Sequence, residues 1–209
     1  MTWIRNLGDE TYLVGLSHRE QGTLCFIQVR GDVPAYYDLR YQERFERRTT
    51  SQALIGRAKE LIVKLTENKN NPPQWRLIAD ITAGGRPFLD ELRRADLSPH
   101  GVSVISGYEE TIVNARQYRT PLRDIASTMK ALLGGHRLKI SSGVPRADQL
   151  VRFMSTLDVT DKITMDAEGD AILAPGVALW FGERWTRAFP KKKRGKGPVR
   201  TKRLLGALR

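Results

Sequence analysis

Trp75-Arg-Leu-Ile-Ala-Asp-Ile81, followed by Thr82-Ala-Gly-Gly-Arg-Pro87, is the stretch whose reading decides the fold. A short, mostly apolar run bounded by turn residues reads as a buried strand. Gly84-Gly85 breaks it, and Pro87 suits the first turn of a helix, where its missing N–H costs nothing. Phe88, Leu92 and Ala95 then recur at helical spacing as that helix's inner face. A carboxylate at the end of such a strand, Asp80, points from its carboxyl end toward a helix N-terminus, where anions and their bound metal ions gather. Asp80 has two readings there: a metal-binding acid, or a turn cap that accepts backbone N–H bonds.

Working toward the N-terminus, Tyr12–Leu16 and Thr23–Val29 read as strands, and Val33–Leu39 as a third that Pro34 places at a strand start or an edge. Short connectors make these an antiparallel meander. From Thr50 to Thr66, Leu54, Ala58, Leu61, Ile62 and Leu65 mark one helical face, with Thr50 or Ser51 as N-cap. Toward the C-terminus come a strand at Val102–Ile105, a helix opened by Pro121 and ended by Gly134-Gly135, and a short strand at Arg137–Ile140. Ala147–Thr156 and Asp170–Trp185 are the last helical segments, the second disturbed by Pro175, with a short strand at Lys162–Met165 between them. Three strands, then helix and strand in alternation, then helices, give an α/β fold. The order is that of a ribonuclease H-like mixed sheet flanked by helices, although order alone leaves several α/β folds open.

The charge is unevenly placed. Of 35 basic residues in 209, nine lie between Pro190 and Arg209, where there is no acid. The rest of the chain carries 26 basic and 23 acidic residues, a net of +3. The division is therefore a folded domain over 1–189 and a basic tail over 190–209, disordered by composition. Lys191, Lys192, Lys193, Arg194, Lys196, Arg200, Lys202 and Arg203 are its nucleic-acid-binding candidates, because a polycation binds polyphosphate by releasing counterions. The plain alternative is a solubilising, solvated end. Lys191–Arg194 also has the form of a nuclear import signal, a pattern that electrostatics alone produces often.

Other chemistries are excluded. The longest apolar stretch, Ala171–Phe181, is interrupted by Pro175 and Gly176 and falls short of the roughly 18 to 20 residues of a membrane span. Met1–Arg5 has no apolar core for a secretory signal, and the lone Cys25 has no disulfide partner, so a cytoplasmic setting is expected. There is no phosphate-binding loop with a Gly-Lys-Ser/Thr end, and no histidine or cysteine spacing suited to zinc. Asp170, after Asp166 and Glu168, is the second acidic candidate, either as the N-cap of the final helix or as a partner of Asp80 in a site for Mg²⁺ or Mn²⁺.

Glu43-Arg-Phe45, Ala79-Asp-Ile-Thr-Ala-Gly-Gly-Arg-Pro87, Phe88-Leu-Asp-Glu-Leu92, Gly135-His-Arg-Leu-Lys-Ile140 and Gly169-Asp-Ala-Ile-Leu-Ala174 follow one another in an order that resembles the nuclease domain of phage terminase large subunits. The resemblance runs over most of Tyr12–Trp185. It implies a ribonuclease H-like fold and cleavage of concatemeric DNA with divalent metals held by acids, among which Asp80 and Asp170 match. It also implies a separate packaging ATPase or other phage packaging protein as partner, in a bacterial host or phage-infected cell. Two positions depart from the family. Gly169 stands where an acidic pair would be completed, and Ser17, in Val14-Gly-Leu-Ser17-His18, stands where the first strand would end in a metal-binding aspartate. A neutral hydroxyl does not offset the repulsion of two divalent ions. His18 is a poor Mg²⁺ ligand, because Mg²⁺ prefers oxygen. The expectation is a DNA-binding module of packaging or processing that has lost catalysis. The rivals are an active Mg²⁺- or Mn²⁺-dependent endonuclease using Asp80, Asp170 and Glu20, and a protein-interaction role without nucleic acid.

Overall fold

The computed structural model describes residues 11–19, 21–31, 34–67, 72–156 and 167–188. Three antiparallel strands come first: β1 (Thr11–His18), β2 (Gln21–Arg30) and β3 (Tyr36–Arg47). Helix α1 (Ser51–Thr66) follows, capped by the Thr50 side chain, which accepts from the Ala53 N–H at 3.2 Å. Then come β4 (Gln74–Asp80), α2 (Gly85–Arg94) and β5 (Pro99–Ile105). A hairpin of β6 (Thr111–Asn114) and β7 (Gln117–Pro121) leads into α3 (Leu122–Gly134), β8 (Leu138–Ile140), α4 (Ala147–Thr156) and α5 (Ala167–Ala188).

The strands form one mixed sheet in the order β6-β7-β5-β4-β1-β2-β3-β8. β1 lies inside it, antiparallel to β2 and parallel to β4, as the meander and the buried strand predict. Alternation along β1 sends Tyr12, Val14 and Leu16 to the face covered by α1 and α2, and Leu13 to the face covered by α3, α4 and α5. Both faces are therefore cores, which is why β1 is buried from Thr11 through Ser17. The Cys25 thiol is fully buried there, and burial pushes its pKa up to about 12.

Two expectations about the last helix need correction. It begins at Ala167, so Asp170 stands in the first turn rather than at the N-cap, and it continues through Pro175 as one helix of 22 residues. Proline at 175 brings no N–H for the carbonyl of Ala171, and the buried Gln42 side chain supplies the missing donor at 2.6 Å. The helix also lies close on the sheet. A Cβ at Gly15 would meet the Ala174 carbonyl oxygen at 2.2 Å, so only glycine fits under that crossing. The β6–β7 hairpin is not foreseen by the sequence pattern, and β3 runs to Arg47, well past Leu39. The strand expected at Lys162–Met165 and the tail 190–209 lie outside the described residues.

Candidate active site

β1 and β4 run parallel in a register that sets Ser17 beside Asp80, so both emerge at the same end of the sheet. Asp80 is 1% exposed and Ser17 is fully buried. Every acceptor direction of the carboxylate is engaged. Oδ2 accepts from Ser17 Oγ at 3.1 Å and from Arg19 Nε at 2.9 Å. Oδ1 accepts from the Thr82 N–H at 2.9 Å and from the Thr82 hydroxyl at 2.5 Å. The bond to the amide two residues on is an Asx turn, the cap reading of Asp80 made concrete. Thr82 Oγ1 is itself held, accepting from the Val104 N–H at 2.8 Å, so the neighbouring strand β5 fixes the donor.

A carboxylate has about four lone-pair sites, and four donors occupy them here. One donor is a guanidinium whose side chain is only 7% exposed, paired with a carboxylate that is fully buried. A buried charge needs a counter-charge, and Arg19 supplies it from within the chain. A divalent ion at Asp80 would have to displace a charge-assisted bond between two desolvated groups and then share its place with a cation. The donor set does not fit such an ion, and among the described residues no cluster of three His, Cys, Asp or Glu side chains could hold one.

The other predicted site residues are dispersed. His18 faces away from Asp80: its Nε2 sits 3.0 Å from the Thr49 carbonyl oxygen and its ring stacks on Phe88 at 5.5 Å. Glu43 pairs with Arg57 at 3.0 Å and also accepts from the Tyr41 hydroxyl. Glu20, the Asp170 side chain and the tail candidates Lys191, Lys192, Lys193, Arg194, Lys196, Arg200, Lys202 and Arg203 lie outside the described residues. The residues that sequence reasoning missed are Arg19 and Thr82. Each sits two positions beyond a residue it did single out, Ser17 and Asp80, which is the same-face spacing of a strand.

The meander and the parallel β1–β4–β5 series belong to a fold shared with solved structures. The large terminase of a thermophilic bacteriophage superposes with a TM-score of 0.51 at 11% identity, over 82% of this chain and 40% of that one. The human cytomegalovirus terminase nuclease domain, in a Mn-soaked structure, matches with a TM-score of 0.51 at 10% identity, over 81% of this chain and 82% of that domain. The chain has a terminase nuclease-like fold. That fold is the ribonuclease H-like mixed sheet flanked by helices that the element order predicts, and at such identities the likeness is one of fold. The chain spans about two fifths of the length of the phage terminase. No family model and no curated protein matches the sequence. Among the described residues no helix is long and apolar enough to cross a membrane.

Proposed function

We propose that this chain is a DNA-binding, terminase nuclease-like module of phage DNA packaging or processing that does not cut DNA. One observation carries the reading: the carboxylate in the family's metal-binding position, Asp80, is saturated by Ser17, Arg19 and Thr82. Ser17 removes one anionic ligand, and Arg19 adds a cation to the site that remains. The residues present do not suit Mg²⁺ or Mn²⁺, and the proposal contains no metal-dependent step. DNA binding rests on two supports, the nuclease-like fold and the nine basic residues of 190–209, which attract phosphate with little regard to sequence. A separate packaging ATPase is the expected partner, in the cytoplasm of a bacterial host or phage-infected cell.

The test is a duplex-DNA binding and cleavage assay on the full chain with Mg²⁺ or Mn²⁺ present. The expected result is salt-dependent binding with the duplex left intact. Deleting 190–209 should weaken binding strongly at low salt and barely move the melting temperature, because so polar a segment adds little to the core. Robust cutting that Asp80→Ala abolishes would instead establish an active endonuclease.

A further inference from the structure

We infer that DNA is also held by the folded body, in an arginine-lined cleft between α2 and the face of the β5–β7 strand pair, beside the Asp80 turn. The inference rests on the DNA-binding reading above and places that binding on particular residues.

The cleft encloses about 390 Å³, within the range of a ligand site. Arg86 and Arg93 reach it from α2 and Arg119 from β7, with Ser103 of β5 among its walls and no acidic residue lining it. Ser103 and Arg119 are register partners across the parallel β5–β7 pair, so both side chains rise from the same face of the sheet. Arg93 is paired with Asp90 at 2.9 Å. Arg86 and Arg119 are exposed and have no acidic partner among the described residues. Two uncompensated guanidinium groups from different elements, converging on one concavity, make a field that favours an anion.

Helix α2 adds to it. Its N-cap is Gly84, which offers no side-chain bond to the first turn, and that turn holds no acid. Gly85, the first helical residue, lines the cleft, so the positive end of the helix dipole faces the same space as the arginines. The Gly85 N–H is taken by the Ile81 carbonyl at 2.9 Å and Pro87 has none, so what the first turn offers phosphate oxygens is chiefly the Arg86 guanidinium, which engages them through paired N–H bonds.

Ile81 and Gly85 both line the cleft, so it adjoins the Asp80 turn, while Asp80 itself is buried behind Ser17, Arg19 and Thr82. Ile81 faces α2 together with the cleft, and alternation along β4 turns Asp80 to the opposite face of the sheet, so a sugar–phosphate backbone lying in the cleft would not touch that acid. The charges come from two separate elements, α2 and β7, that face one another across the cleft, an arrangement that can hold a polymer backbone by its phosphates.

The test compares the full-length wild type with Arg86→Ala/Arg119→Ala by fluorescence anisotropy on a short DNA duplex across a salt series. Lys139→Ala, on β8 at the far edge of the sheet, is the control. Both arginines are exposed, so the double variant should melt like the wild type. Its affinity should fall by about tenfold or more at low salt, and the slope of log K against log salt should become shallower by about 2, one unit per lost phosphate contact. Unchanged affinity and slope in the double variant would overturn the cleft while leaving DNA binding by the tail intact. Weakened binding with an unchanged slope would overturn it too, as would an equal loss in Lys139→Ala. Inorganic phosphate is the second arm: stabilisation of the wild type by phosphate that duplex DNA does not compete away would assign the cleft to a free anion instead. If the wild type binds no DNA at any salt, the functional reading itself fails.

Discussion

Arg19 Nε stands 2.9 Å from Asp80 Oδ2, and Ser17 Oγ donates to the same oxygen from 3.1 Å. A guanidinium thus neutralises the acid that, in a metal-dependent nuclease, a divalent ion would neutralise. The pair is nearly dry, with side-chain exposures of 7% and 0%. Deleting one partner of such a pair leaves the other charged and desolvated, which costs far more than a surface ion pair contributes.

Arg19→Ala should therefore destabilise the protein by about 3 kcal/mol. Arg19→Ala combined with Asp80→Asn should recover part of that loss, because the buried charge goes with its partner. Urea unfolding of the two single variants and the double variant completes the cycle. An additive result would show that the two side chains do not depend on one another.

Gln42 and Pro175 make a second coupled pair, far apart in sequence and joined through the Ala171 carbonyl. Gln42→Leu leaves that buried carbonyl without a donor and should cost about 1–3 kcal/mol. Pro175→Ala returns the helical N–H to Ala171, so Gln42→Leu/Pro175→Ala should regain most of the loss by urea unfolding. A double variant less stable than Gln42→Leu alone would mean that the proline is needed for some other reason.

These two pairs also mark what the sequence can and cannot reveal. The β1–β4 core is legible because Leu13–Leu16 and Leu77–Ile81 are apolar enough to announce strands, and the end of each strand sets the height of Ser17 and Asp80. The passage of α5 through Pro175 is not legible, since its rescue comes from a glutamine more than 120 residues earlier. The β6–β7 hairpin escapes notice because Thr111, Ile112, Val113 and Asn114 are all exposed, so no buried face imprints a period of two. Arg19 reads as connector. Whether an arginine past a strand end reaches a neighbouring carboxylate or solvent depends on the parallel strand beside it, which no local pattern encodes.

His100 gives a pH signature. Its ring packs against Phe181 at 4.6 Å and Tyr118 at 6.2 Å, and its Nδ1 is buried with no partner. Burial, reinforced by the charges of Arg116 and Arg76, lowers its pKa from 6.5 to about 4. The unfolded chain takes up this proton near pH 6.5 and the folded chain only near 4, so the unfolded state binds more protons between those values. Stability from this group is complete above pH 6.5 and is lost as pH falls toward 4. The ring is only partly buried, so the loss should be on the order of 2 kcal/mol by the bottom of that window. His100→Phe should remove this part of the acid limb when urea midpoints of the two proteins are compared. Parallel curves would place the ring in contact with water.

The last prediction concerns building a divalent-metal site at Asp80, and two obstacles stand there. Ser17→Asp alone adds a second buried carboxylate beside Asp80 with Arg19 still in place. The guanidinium can then pair with both acids, and no divalent ion is required. Arg19→Ala alone frees Asp80 but leaves a single anionic ligand, with a hydroxyl where a second should be. Ser17→Asp/Arg19→Ala brings two carboxylates together at the ends of β1 and β4 and removes the competing cation, so their mutual repulsion becomes a demand for a bound ion. The double variant should be stabilised by Mn²⁺ in a melting experiment, and calorimetric titration should detect binding. The wild type and both single variants should show neither effect. Cleavage of duplex DNA by the double variant should be weak at best, because two carboxylates are few to hold a pair of divalent ions and Gly169 offers no side chain to add another. Equal Mn²⁺ stabilisation of the wild type would show that Arg19 yields its place to a metal, and the reading of this site as catalytically silent would be wrong.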